Sequence, residues 1–106
     1  MDGSNFETVD AVVDTGAFYT KLPASQLRRI GVVPDRRRRF RLGDGRIVER
    51  ETGPAIVRVA GEETYTIVVF GEEDTSPLLG AYTLEGAALV VDPQGQLLAP
   101  ADNLML

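Results

Sequence analysis

The chain contains no cysteine, no histidine and no tryptophan. Without cysteine there is no disulfide framework and no thiolate chemistry. Without histidine, Ser-His triads, Cys-His pairs and most zinc sites are excluded together. Any catalysis must therefore come from carboxylates, hydroxyls, lysine, arginine or the backbone, and neither a metal nor an organic cofactor is expected. No apolar run approaches the ~20 residues of a membrane-spanning helix. The opening stretch MDGSNFETVD has no basic segment followed by an apolar one, so no signal peptide is expected and the cytoplasm is the expected compartment.

What is present is an ordinary globular composition. Hydrophobic residues make up 43% of the 106 positions and charged residues 25%, which argues against disorder. That length predicts one domain over residues 1–106 with one modest core, which a partner chain would help to complete. The net charge is −5, unevenly spread. Arg28, Arg29, Arg36 to Arg39, Arg41, Arg46 and Arg50 crowd the first half, whereas Glu62, Glu63, Glu72, Glu73 and Asp74 come later. The run DRRRRF invites a nucleic-acid reading, because arginine clusters neutralise phosphates. The domain is acidic overall, however, and its aromatics are not interleaved with the arginines as stacking platforms. A solvated strand edge, paired with the later acids, is preferred, and nucleic acid is not an expected partner.

The local patterns are mostly those of short strands. NFETVDAVVD is β-prone and leads into Asp14, with Val12 and Val13 expected to be buried; FYTKL resumes as a strand after the Asp-Thr-Gly turn. PASQLRRIGV reads as a short helix, with Pro23 suited to its first turn and Gly31 to its end. RRFRLGDGRIVERET is a hairpin pattern, in which Phe40 and Leu42 alternate with arginines and Gly43-Asp44-Gly45 offers positive-φ positions. PAIVRVAGEETYTIVVF is a second hairpin about Gly61. SPLLG is a brief strand, AYTLEGA one or two helical turns, and ALVVDPQGQLLAP a third hairpin about residues 92–95. Many short strands separated by turns predict an all-β domain, a small closed barrel with one or two short helices.

The segment VVDTGAFYTKLP poses the functional question. An apolar strand that runs into Asp14-Thr15-Gly16 is either an Asx-type turn or a carboxylate placed in a cleft for acid–base work. The order of elements bears on the choice. An apolar strand and Asp-Thr-Gly-Ala are followed by a Gly-tipped hairpin, two more strands, Leu78-Leu79-Gly80, a short helix and a final hairpin. From about residue 6 to residue 100 this order resembles the retropepsin-like aspartic proteases, the single-domain family of retroviral proteases and small bacterial relatives.

The resemblance implies a fold, a chemistry and an assembly. Asp14 would be the catalytic carboxylate of an aspartic endopeptidase. Thr15, Gly16, Ala17, Leu79 and Gly80 would support the active site. Thr15 would bond across to the partner chain, Gly16 would let the backbone lie against substrate, and Leu78 and Leu79 would fill the core below Asp14. Leu42, Gly43, Asp44 and Gly45 would form the substrate-binding flap. The family's reaction needs two facing carboxylates sharing a proton. This chain holds one Asp-Thr-Gly and no Asp-Ser-Gly, so the resemblance implies a homodimer with Asp14 from each copy beside the twofold axis, acting on a peptide or protein substrate. The chain also departs from the retroviral pattern. Phe18 and Tyr19 stand where an acidic pair is usual, and Ala81 stands where an arginine follows the later glycine. Apolar packing would then replace an ion pair, with Phe18 and Tyr19 either lining the cleft or lying in the core. The alternative function is a dimeric domain of the same fold that binds peptides or partners with little proteolysis.

Overall fold

Two tight turns and one helix stop set most of the local architecture. Ala60 and Gly61 both take positive φ, 50° and 81°, and fold the long strand β4 (Ile47–Val59) back on β5 (Glu62–Gly71) in continuous antiparallel register from Val59↔Glu62 to Thr52↔Val69. At the other end of β4, Gly45 takes φ 90° and turns the chain from β3 (Arg36–Arg41), with Phe40 opposite Val48. Gly43 does not share the positive φ expected of it; Gly45 alone makes that turn. The short helix α1 (Ala24–Arg29) ends as glycine allows: Gly31, at φ 89°, donates to the Arg28 carbonyl at 3.1 Å, and Val32 donates to the Leu27 carbonyl at 3.0 Å. That pair of bonds is a Schellman motif, and Leu27 and Val32, which it brings together, are both core residues.

The computed structural model describes residues 6–92 and 97–100. The remaining elements are β1 (Val12–Val13), β2 (Thr20–Pro23), β6 (Leu78–Leu79), α2 (Ala81–Gly86), β7 (Leu89–Asp92) and β8 (Leu97–Pro100). The tip of the β7–β8 hairpin, at 93–96, lies outside the described residues.

The strands form a six-stranded sheet in the order β1-β6-β2-β5-β4-β3, with β7 and β8 as a separate two-stranded ribbon. The protein is thus mostly β with two short helices, as the patterns predict. Closure into a barrel is not found: among the described residues the sheet has two free edges, β1 and β3. A strand of two residues offers too little ladder to bridge back to the far edge, and the last hairpin pairs with itself. The edge position of β1 also corrects the expected burial of its valines. Val12 is 63% exposed and Val13 is 38% exposed.

Two apolar clusters hold the layers together. One joins Leu27 and Val32 from the α1 region to Ala55, Val68 and Phe70 of the sheet, with Leu22 and Ile30 packed against them. The other joins Leu79 to Leu84, Ala87 and Leu89, seating α2 and β7 beneath β6. The two-residue period of β5 separates its faces: Thr66, Val68 and Phe70 turn inward with α1 and α2, and Val69 turns to the opposite side. The arginine run becomes β3, an edge strand whose charged side chains discourage pairing with another sheet. Arg37 faces Glu49 at 3.8 Å, and Arg38 turns inward to Thr52 Oγ1 at 3.1 Å and over the Tyr19 ring. Among the described residues no helix is long and apolar enough to cross a membrane.

Candidate functional site

The Asp14 loop is built by pairing between segments far apart in sequence. β1 runs parallel to β6, with Val12 opposite Leu78 and Val13 opposite Leu79. The ladder continues one step further, as the Asp14 N–H donates to the Leu79 carbonyl at 3.0 Å. Asp14 then closes its own turn. Its Oδ1 accepts from the Gly16 N–H at 2.9 Å, and its carbonyl accepts from the Ala17 N–H at 3.1 Å. The Asx-turn geometry and the exposed carboxylate coexist, because one carboxylate oxygen serves the turn while the side chain remains open to solvent. A Cβ at Gly16 would stand 3.1 Å from that same Oδ1, so a side chain there would crowd the carboxylate. Thr15 is exposed, and its hydroxyl has no hydrogen-bond partner among the described residues.

Below the loop, Gly80 allows a close backbone crossing. A Cβ there would meet the Tyr19 carbonyl carbon and oxygen at 2.6 Å and the Phe18 oxygen at 2.7 Å. Having crossed, the chain enters α2 with Ala81 and Tyr82 donating to the Ala17 and Phe18 carbonyls at 2.8 and 2.9 Å. Leu79 packs into the lower core as expected. Leu78 does not; it is half-buried and turns toward a cleft. A buried trio of hydroxyls completes the support. Thr83 Oγ1 lies 2.6 Å from Thr20 Oγ1 and 2.9 Å from Thr66 Oγ1, and Thr20 accepts from the Gly80 N–H at 3.1 Å. Sequence reading missed this trio, since threonine is common in strands and its partners here are up to 63 residues apart.

A cleft of about 650 Å³ lies between this loop and the β3–β4 hairpin. Gly16, Ala17, Phe18 and Tyr19 form its wall on the loop side. Phe40, Leu42, Arg46 and Val48 form it on the hairpin side, and Lys21, Val69 and Leu78 lie along the sheet. Asp14 is not a lining residue; it stands exposed immediately before that wall. Of the four residues expected in the flap, only Leu42 lines the cleft, while Gly43, Asp44 and Gly45 are exposed at the tip. The hairpin's two-residue period explains this: Phe40, Leu42 and Val48 project together, and the tip extends past them. The register pair Phe40↔Val48 could have been read from the position of the turn.

The tip is held in shape by Asp44. Its Oδ1 accepts from the Arg46 N–H at 3.0 Å, and its Oδ2 pairs with the Arg46 guanidinium at 2.6 Å. The backbone bond, and then the guanidinium, keep its carboxyl below the usual aspartate range. Arg50 and Glu72 form an ion pair in the cleft. Phe18 and Tyr19, which the sequence leaves between cleft and core, both line the cleft. Phe18 stacks on Tyr82 with centroids 5.4 Å apart, and Tyr19 meets Phe40 edge-on at 5.8 Å, tying the Asp14 loop to α2 and to the hairpin. Among the described residues no three acidic side chains come together as a metal site would need. Compared with known proteins, the chain matches no family model, no curated protein and no solved structure.

Proposed function

We propose that the protein is an aspartic endopeptidase of retropepsin-like fold that works as a homodimer, with one Asp14 from each chain forming a shared dyad. The observation that carries this reading is the setting of Asp14. An exposed carboxylate ends β1 where β1 runs parallel to Leu78-Leu79, with Gly80 threaded beneath the loop and a cleft of mixed apolar and charged lining beside it under a hairpin. Two features favour a second copy. One chain supplies one such carboxylate, standing exposed just before the cleft wall that begins at Gly16. The side chains around it are apolar yet exposed: Val12, Val13, Phe18 and Tyr82. Burial of such a patch against a twofold mate would be favourable and would face the two carboxylates across the axis.

In that arrangement the two Asp14 side chains hold one proton between them, because two like charges in contact do not both ionise readily. The ionised member takes a proton from a water molecule as the water attacks the scissile carbonyl carbon. The protonated member gives its proton to the carbonyl oxygen, and collapse of the tetrahedral species sends a proton to the departing amine. The hairpin covers the bound peptide, with Leu42 and Phe40 against its apolar side chains. The test is hydrolysis of a diverse peptide library from about pH 4 to 7. Cleavage should be favoured in acid, unaffected by chelators, blocked by statine-type inhibitors and abolished in Asp14→Asn. A dimer that cuts nothing but binds peptides would instead support the second reading, a peptide- or partner-binding domain of the same fold, which the absence of the acid–arginine pair at Phe18 and Ala81 favours.

A further inference from the structure

We propose that Lys21 forms the floor of a subsite that takes an acidic side chain, so that the bound peptide carries Asp or Glu close to its apolar centre. The inference rests on the reading of the 650 Å³ cleft as the peptide groove.

The position of Lys21 is fixed by its strand. On β2, Thr20 and Leu22 turn inward, Thr20 to the buried hydroxyls and Leu22 to the core. Lys21 must therefore point to the opposite face. There its register partners are Val69 on β5 and Leu78 on β6, and all three line the cleft. Its stem lies along apolar surface, with the ammonium left to find a partner in the groove. Among the described residues it has none: Lys21 is half-buried, and its side chain makes no ion pair or hydrogen bond.

The acids nearby are already committed. Glu72, the acidic residue in the cleft lining, is held by Arg50, and Asp44 at the hairpin tip is held by Arg46. Of the four cations in the lining, Arg50 and Arg46 are taken up by those two acids, which leaves Lys21 and Arg41 without an acidic partner among the described residues, in a chain whose net charge is −5. A groove so opposed in sign to the rest of the protein favours an anionic occupant. A carboxylate is the natural complement to a partly desolvated ammonium, whereas a lysine or arginine at the same place would meet a like charge with less solvent to screen it than at the open surface. In a symmetric dimer the subsite occurs twice, once on each side of the Asp14 pair.

The test uses a positional-scanning library of internally quenched peptides, with Glu, Gln or Lys placed in turn at each position around an apolar pair. Wild type should cleave the Glu peptides over the Lys peptides by about tenfold or more in kcat/KM at one position on each side of the scissile bond. Lys21→Met should bring that ratio close to unity, and Lys21→Glu should invert it. Lys21→Met alone suffices if the charge reversal does not fold. A wild-type enzyme without charge preference, or one whose preference is unchanged in Lys21→Met, overturns the inference while leaving the protease reading intact. If nothing is cleaved, fluorescence anisotropy of the same peptides on wild type and Lys21→Met reads the subsite alone. Lys21-dependent preference for Glu would then uphold the inference and remove the protease, and equal binding of all three peptides would overturn the inference.

Discussion

Thr83 is the buried hinge of the support beneath Asp14, and removal of its hydroxyl should be costly although its shape is kept. The residue is fully buried, and its Oγ1 stands between Thr20 at 2.6 Å and Thr66 at 2.9 Å. Thr83→Val preserves the β-branched outline and deletes both bonds. The bond to Thr20, which keeps the Gly80 N–H, contributes ~1 kcal/mol net, and the Thr66 hydroxyl, left buried without a side-chain partner, costs ~1–3 kcal/mol. The expected loss is about 2–4 kcal/mol, a large share of the ~5–15 kcal/mol that holds a domain together. With a urea dependence of ~2 kcal/mol per molar, the middle of the usual range, the unfolding midpoint should fall by about 1–2 M at unchanged slope. The comparison must be made at one protein concentration, since the proposed dimerisation would add to apparent stability. Thr83→Ser, which keeps the hydroxyl and loses a methyl, should recover more than half of the deficit. Thr20 and Thr83 share one bond, which either single change removes, so the double variant Thr20→Val/Thr83→Val should be less destabilised than the sum of the singles. A Thr83→Val midpoint within error of wild type, or a Ser variant no better than Val, would show that the hydroxyls do not support the loop.

Three further outcomes follow from the same geometry. Gly80→Val places atoms where backbone already lies at 2.6 Å, so it should lower the melting temperature sharply, whereas Asp14→Asn should leave it near wild type; equal melts for Gly80→Val and wild type would refute the close crossing. Asp44 should titrate below the usual aspartate range by carbon-detected NMR, and its contribution to the hairpin tip, present above that range, should be lost only as pH falls through the lowered value. An ordinary midpoint for Asp44 would contradict this. Finally, Val12→Glu or Phe18→Glu should shift the sedimentation profile from dimer to monomer and remove activity with the fold intact; a dimer unaffected by either change would place the interface on another face.

Local features of the chain were legible because their causes are local. Gly31, Gly45 and Gly61 mark the turns where positive φ is needed, and the alternation about them identifies the β3–β4 and β4–β5 hairpins. What required the structure is contact at a distance. The parallel pairing of Val12-Val13 with Leu78-Leu79 makes β1 an edge, which is why two valines that look buried in sequence are exposed. An open sheet in place of a closed barrel has the same origin, since closure depends on the edges and not on any one strand's pattern. At the site, Asp14 and Gly16 stood out by residue type and Ala17 and Gly80 by the family resemblance, and the structure brings them to one loop and the strand that crosses beneath it. Lys21, Thr20, Thr66 and Thr83 did not stand out, because a lysine or threonine in a strand gains its meaning only from the face it takes.

The central claim is that neither Asp14 acts alone, and subunit mixing tests it most directly. A fixed amount of wild type is allowed to exchange subunits with an equal amount of Asp14→Asn, and peptide hydrolysis is then measured. A dyad shared across the twofold axis requires that the activity fall to about half, since half of the wild-type chains now face an asparagine, and that it fall further as the variant is raised in excess. Activity that stays constant while mixed dimers form would mean that each chain carries a complete site, and would contradict the shared dyad.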